Sequence, residues 1–269
     1  MRVPFIKMHG LGNDFIVLDA REEALPAMSA PVAARLADRR AGIGCDQLIL
    51  LEASETDNFR MRIFNSDGGE VEACGNAARA VALLHGAEAV VETAGGTIAL
   101  RPGNGEASVD MGRPRFSWEE IPLAYAMDTG SLPLAWGPLA APTAINVGNP
   151  HVVFLVEDVA AIDLAHWGPE IEQDPVFPEG INVNVVSLAG HDHLRLTVWE
   201  RGAGLTRACG TGACASAVAA IRRGLVKDEV RVSLPGGDLF VNWREGEAIE
   251  MRGPASEAFR GSFDWEQYA

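Results

Sequence analysis

The sequence predicts an α+β protein built from two similar halves in tandem. The tripeptide Ala-Cys-Gly occurs at 73–75 and again at 208–210. A Gly-Asn turn occurs at 12–13 and again at 148–149. The two matches are in the same order and at nearly the same spacing, which is close to half of the 269-residue chain, and so indicate a duplicated unit.

The Ala-Cys-Gly repeat predicts the same run of elements in each half. Residues 59–82 align with residues 194–217, and eight of the 24 aligned pairs are identical. Each copy begins with alternating apolar residues, which are typical of a strand, and continues through a glycine-bearing loop. A helix of small residues then begins near the cysteine. We therefore expect strand-rich halves with one principal helix each, following Cys74 in the first half and Cys209 in the second.

The stretch between the two copies sets the expected domain boundaries. It runs from Arg113 to about Pro142 and contains the Pro and Gly residues typical of a connecting segment. We expect a first half at 1–117 and a second half at 118–261. The tail, 262–269, is expected to pack back on the first half.

The composition excludes several classes of partner. The chain has 22 basic and 37 acidic residues, a formal net charge of −15. Without a basic excess, it is poorly suited to bind nucleic acid or an anionic membrane. No apolar run approaches the roughly 18 residues that a membrane span requires. Lys7, His9 and Gly10 interrupt the region where a signal peptide would be apolar. We therefore expect a cytoplasmic protein with reduced thiols.

The four cysteines, Cys45, Cys74, Cys209 and Cys214, include no C-x-x-C pair, which disfavours zinc-ribbon and thioredoxin functions. At a helix N-terminus the helix dipole lowers the pKa of a cysteine, and the unpaired N–H groups there bind carboxylates. A single cysteine in an Ala-rich helix is more often a small buried apolar residue. The duplication at two predicted helix starts favours chemistry for Cys74 and Cys209, whereas Cys45 and Cys214 are expected to be structural.

Two equivalent thiols suggest a stereoinversion with two acid/base groups. If the halves are related by a pseudo-twofold axis, equivalent loops meet at a cleft, and Cys74 and Cys209 approach one ligand from opposite sides. One thiolate would remove the α-proton of an amino acid, and the other thiol would return a proton to the opposite face. Helix N-termini aimed at the adjacent carboxylate would stabilise the carbanion. No pyridoxal motif is evident, although a lone Schiff-base lysine stays open.

Six segments, in order through most of the chain, carry a resemblance to a known family. They are KMHGLGNDFIVLD (7–19), GIGCDQ (42–47), NSDGGEVEACGNAAR (65–79), GNPHVV (148–153), GINVNVV (180–186) and ERGAGLTRACGTGACAS (200–216). On these segments the chain resembles the diaminopimelate epimerases, cofactor-independent enzymes of lysine and peptidoglycan precursor synthesis. The resemblance implies a curved sheet around a central helix in each half, an active site in the cleft between the halves, a homodimer, and neither metal nor cofactor.

The resemblance also implies residue roles. Cys74 and Cys209 would be the catalytic acid/base residues that interconvert LL- and meso-2,6-diaminopimelate. His151 and Glu200 would lie near the cysteines and tune their protonation, and Tyr268 would contribute to the homodimer. The implied substrate contacts are Asn13, Gln47, Asn65, Gly75, Asn76, Asn149, Asn182, Glu200, Arg201, Gly210 and Thr211.

Three other functions stay open on the residues alone. A proline or hydroxyproline racemase would use the same two thiols on a smaller substrate. A cysteine hydrolase would pair Cys74 or Cys209 with His151, and would leave the second cysteine unexplained. A non-enzymatic thiol or zinc module would bind metal stoichiometrically. The His-Asp-His run at 191–193 is expected to be a solvated hairpin turn rather than a metal site.

Overall fold

The computed structural model describes residues 1–72 and 74–269 and shows a mixed α+β fold, which confirms the predicted class. The chain forms two compact units. Unit 1 comprises Met1–Val109 and Gly253–Ala269, and unit 2 comprises Asp110–Arg252.

Unit 1 is rich in strands. Its strands are β1 (Arg2–Gly10), β2 (Asn13–Ala20), β3 (Gln47–Glu52), β4 (Phe59–Asn65), β5 (Glu70–Val71), β6 (Ala89–Thr93), β7 (Gly96–Pro102), β8 (Glu106–Asp110) and, from the end of the chain, β19 (Ser256–Asp264). Its α-helices are α1 (Ala30–Ala37) and α2 (Gly75–His85), and a 3-10 turn follows β19 at Trp265–Gln267. α1 packs on β3 and β4, whereas α2 packs on β1 and β7.

α2 is the central helix of unit 1, because all of its first eight residues, 75–82, are buried. A helix buried on every side is built mostly of small or apolar residues, as the alanines of α2 show, and its buried Asn76 and Arg79 are hydrogen-bonded to each other. The helix is terminated at Gly86, which adopts a left-handed conformation with φ of 76° and donates its N–H to the Ala82 carbonyl. Glycine is the usual residue in this position, because it has no Cβ to clash.

Unit 2 repeats this mixture of strands and helices. Its strands are β9 (Ala135–Trp136), β10 (Leu139–Ala140), β11 (Thr143–Asn146), β12 (Pro150–Leu155), β13 (Asn182–Gly190), β14 (His193–Glu200), β15 (Gly204–Thr206), β16 (Glu229–Leu234), β17 (Gly237–Asn242) and the first three residues of β18 (Glu250–Pro254). Its helices are a 3-10 turn at Val159–Ala161, α3 (Leu164–Glu172) and α4 (Gly210–Arg222). α4 is the central helix of unit 2, with residues 212–220 all buried.

The two units share one strand topology. In unit 1, β2 pairs parallel with β3, β3 antiparallel with β4, and β4 parallel with β6. In unit 2, β12 pairs parallel with β13, β13 antiparallel with β14, and β14 parallel with β16. α2 and α4 each connect the last parallel pair of their own unit. The principal helix that the repeat predicts for each half is therefore present at equivalent places.

β19 joins the end of the chain to its beginning. It pairs antiparallel with β1, from Arg2 opposite Asp264 to His9 opposite Ser256. Because this pairing extends along nearly the whole of both strands, the end of the chain from residue 253 belongs to unit 1, whose first segment ends at Val109. Both boundaries lie earlier in the chain than the sequence-based boundaries after residues 117 and 261.

Each unit has its own apolar core. In unit 1, the core includes Leu36 of α1 with Leu50 and Phe64 of the sheet. In unit 2, it includes Phe154 of β12 and Ile171 of α3. Burying a side chain of this size stabilises the fold by about 1.5–3 kcal/mol. In the part of the chain that the structure describes, no helix is long and apolar enough to span a membrane.

Gly68 and Gly86 provide a matched pair of substitutions. Both have positive φ, 87° and 76°, so alanine at either position costs about 1–2 kcal/mol of backbone strain. At Gly68 a Cβ would also overlap the carbonyl oxygen of Ala30, whereas a Cβ at Gly86 would meet no described atom within 4 Å beyond the adjoining residues. We expect Gly68→Ala to lower the free energy of unfolding by about 1–3 kcal/mol more than Gly86→Ala, measured by urea denaturation. Equal losses would contradict the close contact with Ala30.

Candidate active site

Each repeated cysteine is the N-cap of a central helix. Cys74 precedes α2 with φ of −147°, and its Sγ accepts the Ala77 N–H at 3.5 Å. Cys209 precedes α4 with φ of −130°, and its Sγ accepts the Gly212 N–H at 3.3 Å. The predicted position of both cysteines at helix starts is confirmed. A sulfur placed there lies at the positive end of the helix dipole.

In unit 1, a chain of hydrogen bonds connects α2 with β2. The fully buried Arg79 donates from Nη2 to Asn76 Oδ1 at 2.8 Å. Asn76 donates from Nδ2 to Asn13 Oδ1 at 3.1 Å, and Asn13 donates from Nδ2 to Asp46 Oδ2 at 3.0 Å. Arg79 can only donate and an ionised Asp46 can only accept, so both amides are held in one orientation. The predicted contacts Asn13 and Asn76 are thus brought together.

Two further predicted contacts of unit 1 lie on adjacent strands. Gln47 begins β3 and Asn65 ends β4, directly opposite in register. Gln47 donates from Nε2 to Asn65 Oδ1 at 3.0 Å. Gln47 Oε1 is buried and has no hydrogen-bond partner among the described residues. An acceptor of this kind is suited to a ligand that carries N–H groups.

In unit 2, Cys209 is 4% exposed, and its Sγ lies 3.5 Å from Thr211 Oγ1. Burial, and next the charge of Glu200, raise the pKa of the Cys209 thiol well above its ordinary value, against opposing hydrogen bonds from Thr211 and Gly212. Glu200 in turn accepts a hydrogen bond from the Thr206 hydroxyl. Desolvation outweighs the helix N-terminus here, so Cys209 is a neutral thiol at pH 7.

Asn182 and Arg201 are joined through the backbone. Asn182 donates from Nδ2 to the Pro150 carbonyl at 2.8 Å, and its Oδ1 accepts the Arg201 backbone N–H at 3.0 Å. The exposed Arg201 side chain donates from Nη1 to the Glu179 carbonyl at 2.9 Å. Asn182 therefore holds the backbone around it. The Arg201 guanidinium has further N–H donors for a carboxylate.

His151 is fully buried between two amides. Its Nε2 lies 2.9 Å from Asn149 Oδ1, and its Nδ1 lies 3.0 Å from Asn184 Nδ2. Burial lowers the pKa of His151 to about 3. His151 is therefore a neutral imidazole at pH 7. Its role in tuning the cysteines stays a prediction.

The predicted contacts occupy equivalent places in the two units. The internal repeat aligns them as the pairs Asn13 and Asn149, Gln47 and Asn182, Asn65 and Glu200, Gly75 and Gly210, and Asn76 and Thr211. The first two pairs lie at or next to the start of equivalent strands, the third where such strands end, and the last two in the first turns of α2 and α4. All of the contacts that the resemblance implies, except Arg201, therefore follow the internal repeat.

The remaining residues singled out in the sequence are Cys45, Cys214, the run 191–193 and Tyr268. Cys45 and Cys214 are buried and form no disulfide, and burial raises the pKa of Cys45 to about 12, as befits a structural thiol.

The run 191–193 lies at the turn between β13 and β14, as predicted. Tyr268 packs edge-on against Phe263 within unit 1, at 5.5 Å between ring centroids. Its contribution to a dimer stays a prediction.

Three residues of the networks around Asn13 and His151 are absent from the predicted set: Arg79, Asp46 and Asn184. Arg79 follows Asn76 by three residues on a helix, and Asn184 follows Asn182 by two on a strand, so each shares a face with a predicted contact. That periodicity is a signal available in the sequence. The sequence contains no such signal for Asp46, because its contact with Asn13 depends on which strands pair. Within residues 1–72 and 74–269, no group of three or more His, Cys, Asp or Glu side chains is placed to hold a metal ion.

Sequence comparison identifies relatives over the whole chain. The sequence profile described as diaminopimelate epimerase matches residues 5–117 and 143–257. A protein of Erythrobacter litoralis named diaminopimelate epimerase is 67% identical and is covered, like this chain, over 100% of its length. A protein of Zymomonas mobilis with the same name is 54% identical, again with 100% of both chains covered.

Solved structures share the fold at low sequence identity. A predicted epimerase from Pseudomonas aeruginosa has a TM-score of 0.67 at 19% identity, over 97% of this chain and 99% of its own. A hydroxyproline epimerase from Agrobacterium vitis, solved with trans-4-hydroxy-L-proline, has a TM-score of 0.67 at 15% identity, over 97% and 92%. These identities establish the fold alone. The profile match and the full-length sequence relatives establish the family: the chain belongs to the diaminopimelate epimerases.

Proposed function

We propose that this protein interconverts LL- and meso-2,6-diaminopimelate by removing a proton from one α-carbon and returning a proton to its opposite face. The observation that carries the proposal is the matched pair of helix-capping thiols in a chain of this family, Cys74 at α2 and Cys209 at α4. The enzyme class that follows is an isomerase acting on amino acids.

The two thiols take opposite roles in any one direction. Cys209 is held protonated by burial and by Glu200, so it delivers the proton, and Cys74, as a thiolate, removes the α-proton. In the reverse direction the roles exchange. The backbone N–H groups at the helix starts, including those of Gly75 and Gly210, bind the carboxylate next to the reacting carbon. They stabilise the negative charge that develops there during proton removal.

The distal amino-acid head of the substrate needs partners for a carboxylate and for an ammonium group. The exposed Arg201 guanidinium is suited to hold the carboxylate bidentately. The buried Gln47 Oε1 is an acceptor suited to the ammonium. Proline has no distal head and would leave these groups unused, which favours the longer substrate. The remaining proposed contacts are Asn13, Asn65, Asn76, Asn149, Asn182, Glu200 and Thr211.

We further propose that the enzyme needs no cofactor, works in the cytoplasm and forms a homodimer. The two thiols supply both acid and base, so the reaction proceeds without pyridoxal phosphate. The four cysteines form no disulfide, in keeping with work in the reducing cytoplasm. There the enzyme supplies lysine and peptidoglycan precursors, as a homodimer to which Tyr268 contributes.

Replacing either catalytic thiol should stop epimerisation. A serine hydroxyl is far less acidic than a thiol, so Cys74→Ser and Cys209→Ser should each lower the rate by about 10²–10⁴-fold or more. The measurement is conversion of LL-diaminopimelate in deuterated water with reductant, where the meso isomer should carry α-deuterium. Cys214→Ala changes a buried thiol on the same helix, α4, and should retain activity.

The rival functions give different results in the same experiments. Exchange with proline but not with diaminopimelate would favour a racemase of small substrates. A covalent acyl-enzyme, detected by intact-protein mass spectrometry, would favour a cysteine hydrolase. Zinc bound stoichiometrically, with a fold sensitive to chelators, would favour a metal module. Any of these would contradict the proposal.

Glu200→Gln should make Cys209 ionise at lower pH. Glu200 contributes to the raised pKa of the Cys209 thiol, and glutamine removes that negative charge. The pH at which Cys209 is half-reactive toward iodoacetamide, followed by peptide mass spectrometry, should therefore fall. Glu170→Gln removes an exposed carboxylate of α3 and should leave the profile unchanged. An unchanged or higher midpoint in Glu200→Gln would contradict the assigned influence.

Tyr268→Ala should weaken a homodimer. Light scattering should give twice the chain mass for the wild type and a shift toward monomer for the variant at micromolar concentration. Tyr125→Ala is the matched control, because Tyr125 is 56% exposed and lies in unit 2. A wild-type monomer would contradict the dimer, and equal dimerisation of both variants would contradict the role of Tyr268.

A further inference from the structure

We propose that Asn184 is a positioning residue of this site. Asn184 acts through His151 and fixes the orientation of the Asn149 side-chain amide. The Asn149 amide nitrogen then points away from the His151 ring and can donate to a substrate carboxylate. The identity of that substrate rests on the proposed function, whereas the direction of the hydrogen bonds from Asn184 through His151 to Asn149 does not.

A backbone carbonyl determines which atoms donate and which accept in these hydrogen bonds. The Val152 carbonyl oxygen lies 2.9 Å from one terminal atom of the Asn184 side chain. A carbonyl can only accept, so that atom is the amide nitrogen Nδ2. The same nitrogen lies 3.0 Å from His151 Nδ1 and gives it the second amide proton. Nδ1 is therefore an acceptor and carries no proton.

The His151 ring then donates from its other nitrogen. A neutral imidazole with an unprotonated Nδ1 carries its proton on Nε2. Nε2 lies 2.9 Å from Asn149, whose nearest atom must be the acceptor Oδ1. The Asn149 amide nitrogen is consequently on the far side from the ring. Asn149 is only half-buried, so its two N–H groups are placed to meet a carboxylate.

Packing alone does not require these polar groups. The internal repeat aligns His151 with Phe15 of unit 1 and Asn184 with Ile49, and both of these apolar residues are fully buried. A buried imidazole and a buried amide are costly unless they are hydrogen-bonded. Asn184 Oδ1 has no partner among the described residues, which adds to that cost. The polar pair therefore serves something other than stability.

Asn184 also lies against the first turn of α4. A Cβ at Gly212 would lie 2.7 Å from Asn184 Oδ1 and 3.2 Å from Cys209 Sγ. Gly212 thus allows the amide and the thiol to approach the same point. A larger side chain at position 184 would press on the turn that caps Cys209, so the test needs a replacement of equal size.

Asn184→Asp keeps the shape of the side chain and reverses its polarity. A carboxylate accepts from His151, which must then hold a proton on Nδ1. In the neutral ring Nε2 becomes an acceptor, and the Asn149 amide turns over and presents oxygen to the substrate. We expect the KM for LL-diaminopimelate to rise about 10- to 100-fold, with a much smaller change in kcat.

The tautomer of His151 is a readout that a merely structural role would not change. Two-bond proton–nitrogen correlations of ¹⁵N-histidine-labelled protein report which ring nitrogen is protonated. The wild type should show a protonated Nε2 and a bare Nδ1, and Asn184→Asp should show a protonated Nδ1. Loss of the signal in His151→Phe assigns it. A protonated Nδ1 in the wild type would overturn the proposal.

Two further variants complete the test. Thr143→Val removes a part-buried hydrogen bond of unit 2, from Thr143 Oγ1 to the Gly130 carbonyl at 3.0 Å, and should retain the wild-type tautomer and KM. The double variant His151→Phe with Asn184→Ile copies the apolar pair of unit 1. It should fold and raise KM about 10- to 100-fold, which keeps the proposal testable if Asn184→Asp does not fold.

The outcomes separate this inference from the proposed function. An unchanged KM in Asn184→Asp or in the double variant would overturn the positioning role, even in an enzyme that epimerises diaminopimelate. Failure of the wild type to epimerise diaminopimelate would refute the proposed function. The tautomer measurement needs no turnover, so it would still show which atoms of Asn184, His151 and Asn149 donate.

Discussion

The hydrogen bond from the first turn of a buried helix to a cysteine sulfur is the contact on which this site depends. It joins Ala77 to Cys74 at α2 and Gly212 to Cys209 at α4. Both helices are built of small residues and are buried over most of their length. Their first turns are therefore held by close packing, and the two sulfurs with them. The small residues of the helices thus fix the positions of the two reactive sulfurs.

The two helix starts of the site could be predicted from the repeat in the sequence, and the hydrogen-bond partners around them could not. Two copies of Ala-Cys-Gly reveal two helix starts, because the local pattern and the offset are both visible in the chain. The partners of Asn184 depend on which carbonyl of the neighbouring strand faces it, and residue type does not determine that register. The second boundary differed for a similar reason: β19, far along the chain from β1, pairs with it.

The two units share a topology but orient their amides by different means. Unit 1 uses charged groups, Arg79 and Asp46, at the two ends of a chain of amides. Unit 2 uses a neutral ring and a neutral amide, His151 and Asn184. The strongest charge effect on Cys209 is then that of Glu200. A duplicated scaffold can thus give two thiols equivalent positions and different surroundings, which an acid and a base in one reaction require.

The pairing of β19 with β1 also has a consequence for the order in which the chain folds during synthesis. Unit 2 is one continuous segment, Asp110–Arg252, whereas unit 1 needs Gly253–Ala269 to complete its sheet. All of unit 2 leaves the ribosome before that last strand does. The half that is synthesised second can therefore close first, whereas the first half has one edge of β1 unpaired until β19 has been synthesised.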